Sequence, residues 1–297
     1  MQYSTFAAID IGSYDVILEI FEISKKQGIR SVDKICHRME LGKDTYTLGK
    51  IRPEMEEELC RVLADFVRIM EGYRVDDYRA TASSAISEAS NSLYVLGKIH
   101  QLTGLSVTVL SNSEQRFLSY KALAAMEDNF NKIIEKGTAI LDLDGGSFQI
   151  SLFDKDALVT TQNIRMGSLR IRERLAGIQS ETEHYEEMVE ELIWNEVSSF
   201  KKMYLKDRKI ENIMLIGDVF TDSVYQNIEE KTTKIISREN FNTWYEKIIR
   251  QSPMELAVKL GIPLENASLM YPSAVIYKCL IDMMGAEHIW IPGVHMT

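Results

Sequence analysis

Over residues 138–153 the chain runs apolar through Ala139, Ile140 and Leu141, then through Asp142, Leu143 and Asp144 to Gly145, Gly146 and Ser147. It returns from Phe148 to Leu152 with apolar and polar side chains alternating. That pattern predicts a strand, a glycine bend and a second strand. The same order recurs early: residues 7–20 read AAIDIGSYDVILEI, setting Asp10, Gly12, Ser13 and Tyr14 where Asp142, Gly145 or Gly146, Ser147 and Phe148 stand later. Glycine at a bend lets amide hydrogens turn outward without a Cβ in the way, which makes a cradle for phosphate, and flanking carboxylates can hold a divalent cation. Asp and Gly are also ordinary turn formers. It is the repetition that predicts two duplicated lobes facing each other with a phosphate between them.

Elsewhere the periodicity predicts a mixed α/β chain. Strands at 16–23 and 29–40 complete a three-strand meander, and the polar, glycine-flanked run LGKDTYTLGK at 41–50 predicts a loop. Pro53 opens a helix where a missing N–H costs nothing, with Met55, Leu59, Val62, Leu63, Phe66 and Met70 on one face and Gly72 as its stop. A strand at 78–82 and a helix burying Leu93, Leu96, Ile99 and Leu102 follow. After a strand at 105–110 comes a helix N-capped by Ser113, with Glu114 in its first turn and Phe117, Leu118, Leu123 and Met126 as its stripe. Strand, helix, strand, helix predicts parallel pairing. Past the second bend come a strand at 158–163 and the basic stretch RMGSLRIRERL. A long helix at 183–203 buries Met188, Leu192, Val197 and Phe200, and a strand at 210–216 runs into Gly217, Asp218 and Val219. Helices at 238–251, 253–259 and 272–284 and a last strand, HIWIP, complete the chain.

Composition narrows the partners. At 297 residues, with 45% hydrophobic and 26% charged, the chain can form two globular domains with sizeable cores. The net charge is −10, which argues against a nucleic-acid backbone as main partner and leaves any phosphate to be held by local donors or a metal. Cys36, Cys60 and Cys279 lie in no metal-ligand spacing and read as reduced packing residues. No basic, apolar leader opens the chain and no apolar run is long enough for a membrane, so a cytoplasmic location is expected.

Taken together, AAIDIGSYD, ASSAISEASN, VLSNSEQRFLSY, ILDLDGGSFQI and IRMGSLRIRERL, in this order, resemble the exopolyphosphatase and guanosine pentaphosphate phosphohydrolase (Ppx/GppA) phosphatase family, of the actin, sugar kinase and heat-shock ATPase superfamily. The resemblance implies two actin-like, ribonuclease H-like lobes, 1–126 and 127–297, each a mixed sheet with helices, and a cleft between them. It implies release of a terminal phosphate from polyphosphate or guanosine pentaphosphate with Mg²⁺. By position, Glu114 matches the catalytic glutamate that orients or deprotonates water, and Asp142 matches a metal-linked aspartate that Asp144 can join. Asp10, Gly12 and Ser13, with Gly145, Gly146 and Ser147, match the two phosphate cradles. The further C-terminal domain through which members often dimerise is expected to be absent, although a homodimer remains compatible.

The departures bear on rate. Tyr14 and Asp15 replace two small polar donors, Ser87 an arginine, Asp144 a glycine, Phe148 a threonine and Gln149 a glutamate. A lost oxyanion donor costs about 10²- to 10³-fold and a lost arginine about 10³- to 10⁵-fold. An unneutralised carboxylate about 4 Å from a phosphate oxygen costs about 4 kcal/mol at an effective dielectric near 20. Weak hydrolysis is therefore expected, the alternative being a phosphate- or nucleotide-binding regulatory protein that has lost turnover. A sugar or acetate kinase of the same superfamily fits less well. Arg165, Arg170, Arg172 and Arg174 either steer a polyanion or form a solvated face paired with Glu173.

Overall fold

The computed structural model describes residues 3–26, 28–126, 130–176, 184–206, 208–217, 220–221, 223–224 and 235–292. The chain divides into two compact units, one reaching Gln115 and the next beginning at Arg116. The boundary expected after Met126 falls at the far end of the helix that runs through this point.

In the first unit, Ala7, Ile9 and Ile11 alternate inward along β1 (Ser4–Ile11), and Val16, Leu18 and Ile20 along β2 (Asp15–Ser24). β3 (Gly28–Arg38) completes the antiparallel meander, while β4 (Asp77–Ala82) and β5 (Val107–Val109) add in parallel, in the order β3-β2-β1-β4-β5. Four helices accompany the sheet: α1 (Leu41–Leu48), α2 (Pro53–Tyr73), α3 (Ser84–Ser87) and α4 (Ser92–Thr103). α2 buries Leu59, Val62, Leu63, Phe66 and Met70 as its spacing predicts, each contributing about 1.5–3 kcal/mol of burial.

α5 (Asn112–Met126) leads into the second unit, followed by α6 (Phe130–Ile134), β6 (Thr138–Leu143), β7 (Phe148–Asp154), β8 (Ala157–Ile164) and α7 (Ser168–Leu175). α8 (Tyr185–Phe200) ends in one π-helical turn, Lys201–Leu205, before β9 (Asn212–Ile216) and β10 (Ile235–Ser237). Then come α9 (Arg238–Ile249), α10 (Pro253–Leu260), α11 (Leu264–Met284) and β11 (His288–Trp290). The sheet order is β10-β11-β9-β6-β7-β8. Read from its β8 edge it runs β8-β7-β6-β9-β11, with two antiparallel pairs followed by two parallel ones, as in the first unit. The duplication suggested by two similar bends extends to all five strands of the first sheet, and β10, antiparallel to β11, is an addition of the second.

Several expectations change. Residues 41–50 form α1 and its cap, not a loop: Leu41 is buried, Asp44 pairs with Arg52, and Thr45 donates to the Ala85 carbonyl at 2.7 Å. Gly49, at φ 71°, closes the helix. Polar side chains satisfied by internal partners leave no mark in a hydropathy pattern. α2 runs past Gly72 to Tyr73 and is capped by Arg74, itself left-handed. α4 turns Val95 and Ile99 inward and leaves Leu93 and Leu102 exposed, because the helix carries apolar residues on several sides. In α8 the buried row is Val189, Ile193, Val197 and Phe200. α11 starts at Leu264 and carries Pro272 inside it. Among the described residues no helix is long and apolar enough to cross a membrane, and the three cysteines are free thiols.

Candidate functional site

The second bend spans Asp144 to Ser147, between the paired ends Leu143 and Phe148 of β6 and β7. The Asp144 N–H donates to the Ser147 carbonyl at 2.9 Å, and the Gly145 N–H to Asp144 Oδ1 at 2.6 Å. Its carbonyls are drawn to one side by α7. The Ser168 N–H reaches the Asp144 carbonyl, the Arg170 N–H the Gly145 carbonyl, and Arg170 Nε the Gly146 carbonyl at 2.8 Å. The amides of Gly146 and Ser147 have no partner among the described residues. Two adjacent unpaired amides can together donate to one anion. The approach of α7 needs Gly167, since a Cβ there would lie 2.2 Å from the Asp144 carbonyl oxygen.

Asp142 lies one residue inside the bend, opposite Gln149 on β7, which in turn faces Asn163 on β8. These three polar side chains cross the sheet in one row, and Asn163 donates to Ser147 Oγ at 3.1 Å. Ser119 of α5 donates to Asp142 Oδ2 at 2.8 Å. Gly217, at φ 72°, packs on the other carboxylate oxygen: a Cβ there would stand 3.2 Å from Oδ1. Of the turn expected at Gly217, Asp218 and Val219, only Gly217 lies within the described residues. Burial raises the Asp142 carboxyl to about 6, and the Ser119 hydrogen bond opposes that rise.

The first bend repeats the second in register. Gly12, Ser13, Tyr14 and Asp15 lie between paired Ile11 and Val16, and the Gly12 N–H donates to the Asp15 carbonyl at 2.9 Å. By this register Asp10 does stand where Asp142 stands, each seven residues before its cross-strand partner. The rest of the expected correspondence shifts: Ser13 stands opposite Gly145, Tyr14 opposite Gly146 and Asp15 opposite Ser147. Spacing alone aligned the Gly-Ser pairs, whereas the ladder counts from the last bonded pair. α1 serves this bend as α7 serves the other, with the Gly42 N–H donating to the Ser13 carbonyl at 2.7 Å. The Ser13 hydroxyl is fully buried and shares hydrogen bonds with Tyr46 (2.8 Å) and Ser84 (3.4 Å). Asp10 accepts from Thr81 at 3.3 Å, and Asp15 is held by Arg38 at 3.0 Å. The Tyr14 ring lies under the same Arg38, and Phe148 packs inside its own unit.

Glu114 is exposed at the third position of α5, whose N-cap is Ser111 rather than Ser113. Its Oε2 accepts from the Ser111 N–H at 2.9 Å and the Ser111 hydroxyl at 2.7 Å, a capping box. Those bonds, with Arg79 nearby, hold the carboxyl below its ordinary range. It is ionised at neutral pH, and Oε1 has no partner among the described residues. Ser252 and Glu255 make the same box at α10, so the box is a helix device and the spare oxygen is what could do chemistry.

The sequence profile of the Ppx/GppA phosphatase family matches residues 19–294. The chain belongs to that family. A bifunctional 3-dehydroquinate synthase/phosphatase of Fusobacterium nucleatum is 21% identical over 310 residues, covering 95% of this chain and 44% of that protein. Exopolyphosphatase 1 of Mycobacterium leprae is 25% identical over 144 residues, 48% of this chain and 41% of its own length. The chain thus spans less than half the length of these curated relatives. The crystal structure of an exopolyphosphatase from Cytophaga hutchinsonii is similar with a TM-score of 0.84 at 17% identity, covering 96% of this chain and 93% of that one. That likeness shows the fold: mixed α/β, with two mixed sheets and their helices. The Ppx/GppA match begins after the first bend, so Asp10, Gly12 and Ser13 rest on the register repeat.

For Mg²⁺ in a Ppx/GppA protein, the fit rests on Asp142. It is a largely buried carboxylate whose one hydrogen-bond donor, Ser119, is neutral, with no protein cation paired to it among the described residues. An added cation would supply that missing charge. Among the described residues no group of three or more His, Cys, Asp or Glu could hold an ion. The fit is therefore to a cation that keeps water or phosphate oxygens as most of its ligands, as Mg²⁺ does. Asp144 commits one oxygen to its own bend. The basic cluster divides: Arg170 binds the bend, Arg172 joins Glu173 and Ser268, and Arg165 and Arg174 are exposed. Sequence reasoning missed Ser119 and Tyr46, hydroxyls inside helices that carry no spacing signal. Gly167 was legible only as part of RMGSL.

Proposed function

We propose that this chain hydrolyses phosphoanhydrides, taking terminal phosphate from inorganic polyphosphate in the presence of Mg²⁺. The observation that carries the reading is Glu114, an ionised carboxylate with one oxygen fixed by Ser111 and the other unclaimed; the resemblance matches it to the family's catalytic glutamate. Its free oxygen would accept a hydrogen bond from the attacking water and orient or deprotonate it. Within the second unit, the unpaired amides of Gly146 and Ser147 would donate to phosphoryl oxygens, and Asp142 with Asp144 would hold the cation. When bound, Mg²⁺ supplies charge neutralisation on those oxygens. The relatives named exopolyphosphatase support this substrate, with guanosine pentaphosphate as the second to test.

Purified protein with Mg²⁺ and polyphosphate is expected to release phosphate slowly, and Glu114→Gln to release it about 10²-fold more slowly still. Equal rates for the two remove Glu114 from the mechanism. A second reading, ligand binding without turnover, is favoured by one observation: the Ser13 hydroxyl is closed onto Tyr46 and Ser84. Calorimetric binding of polyphosphate or guanosine tetraphosphate with no phosphate released would establish it.

A further inference from the structure

The polar interior of α5 points to a residue that the reaction as described does not use. Ser119 is 2% exposed, one turn from buried Leu123, and Leu123 belongs to one buried cluster with Ile140, Met214 and Ile216 from β6 and β9. That packing fixes the face of α5 turned to the sheet, and with it where the Ser119 hydroxyl points. The hydroxyl meets Asp142 Oδ2 at 2.8 Å. Asp142 itself cannot drift, since β6 is bonded on both sides, with Gln149 and Ile216 as neighbours in register. On the Oδ1 side stands Gly217, whose missing Cβ would lie 3.2 Å away. One oxygen is thus tethered, and the other has no hydrogen-bond donor among the described residues.

We propose that Ser119 is the positioning residue of Asp142, holding Oδ2 so that Oδ1 alone is presented to a divalent cation. The inference rests on the reading of Asp142 as a cation ligand given above. Hydrogen bonds to ligating carboxylates fix their orientation, and removing such a partner lowers metal affinity by about 10- to 100-fold. Ser119 touches neither substrate nor cation in this arrangement; it acts through the carboxylate.

The test is metal affinity in the full chain, with Mn²⁺ followed by electron paramagnetic resonance and Mg²⁺ by calorimetry, in parent, Ser119→Ala, Ser119→Thr and Asp142→Asn. Ser119→Ala is expected to raise Kd about 10- to 100-fold, and Ser119→Thr, which keeps the donor, to stay within about threefold of the parent. Should Ser119→Ala fail to fold, Ser119→Cys, a weaker donor of similar size, is expected to fall between the other two. A Ser119→Ala protein that binds as tightly as the parent overturns this inference and leaves Asp142 as ligand. A parent that binds neither ion, or an Asp142→Asn variant that binds like the parent, overturns the metal reading and this inference together.

Discussion

At the scale of single residues, Asp142 carries the clearest energetic signature. Burial raises its carboxyl from an ordinary value of 3.8 to about 6, so the folded chain binds this proton more tightly than the unfolded chain does. The group's contribution to stability therefore falls as pH rises from about 4 to about 6, and the penalty is fully present above that window. Asp142→Asn removes the charge and keeps an acceptor for Ser119. Without divalent cations it is expected to stabilise the protein by up to about 3 kcal/mol at pH 7.5 and by nothing near pH 3.5. Urea denaturation of parent and variant at both pH values checks this; equal stability at pH 7.5 would mean that the carboxylate is better solvated than its burial implies. The residue was legible from the sequence as a carboxylate flanking a glycine bend that repeats the order at Asp10, and its link to a metal came with the family resemblance. Its donor was not, since Ser119 reads as one more small residue in a helix.

At the scale of elements, the two bends show what spacing conveys and what it leaves out. The strands around them were legible as apolar runs, and their repetition gave the duplicated design. The register within each bend was not, because Gly-Ser pairs invite an alignment that the hydrogen-bonded ladder displaces. Nor was α1, the counterpart of α7, whose Asp44 and Thr45 make it look like a polar loop although both are buried against Arg52 and Ala85. Glycines divide in the same way, by what surrounds them. Gly167→Ala would set a Cβ 2.2 Å from the Asp144 carbonyl oxygen and is expected to cost about 2–4 kcal/mol by prising α7 from the bend. Gly97, exposed inside α4 with nothing within 4 Å, should behave oppositely, Gly97→Ala adding about 0.5–1 kcal/mol. Thermal denaturation of both variants reads the contrast, and a tolerated Gly167→Ala would show that the contact between α7 and the bend yields.

For the whole molecule, charge sets a condition that neither bend can escape. The chain carries 44 acidic against 34 basic residues, a net charge of −10, and its proposed substrate is a polyanion. Attraction is then local and short-ranged, from amides, a cation and a few arginines such as Arg170, while the far field is repulsive. Screening acts mainly on the far field, because the Debye length is about 30 Å at 0.01 M salt and about 8 Å at 0.15 M. Raising monovalent salt over that range at saturating Mg²⁺ should therefore leave kcat/KM for polyphosphate unchanged or raise it a few-fold. A protein that grips its polyanion through a basic track would instead lose affinity steeply over the same range, by orders of magnitude when many phosphates are contacted. Initial rates at low substrate across the salt series separate the two. A steep fall would give Arg165, Arg170, Arg172 and Arg174 a steering role that outweighs the net charge, and Arg165→Ala and Arg174→Ala, the two exposed members, should then flatten the salt dependence.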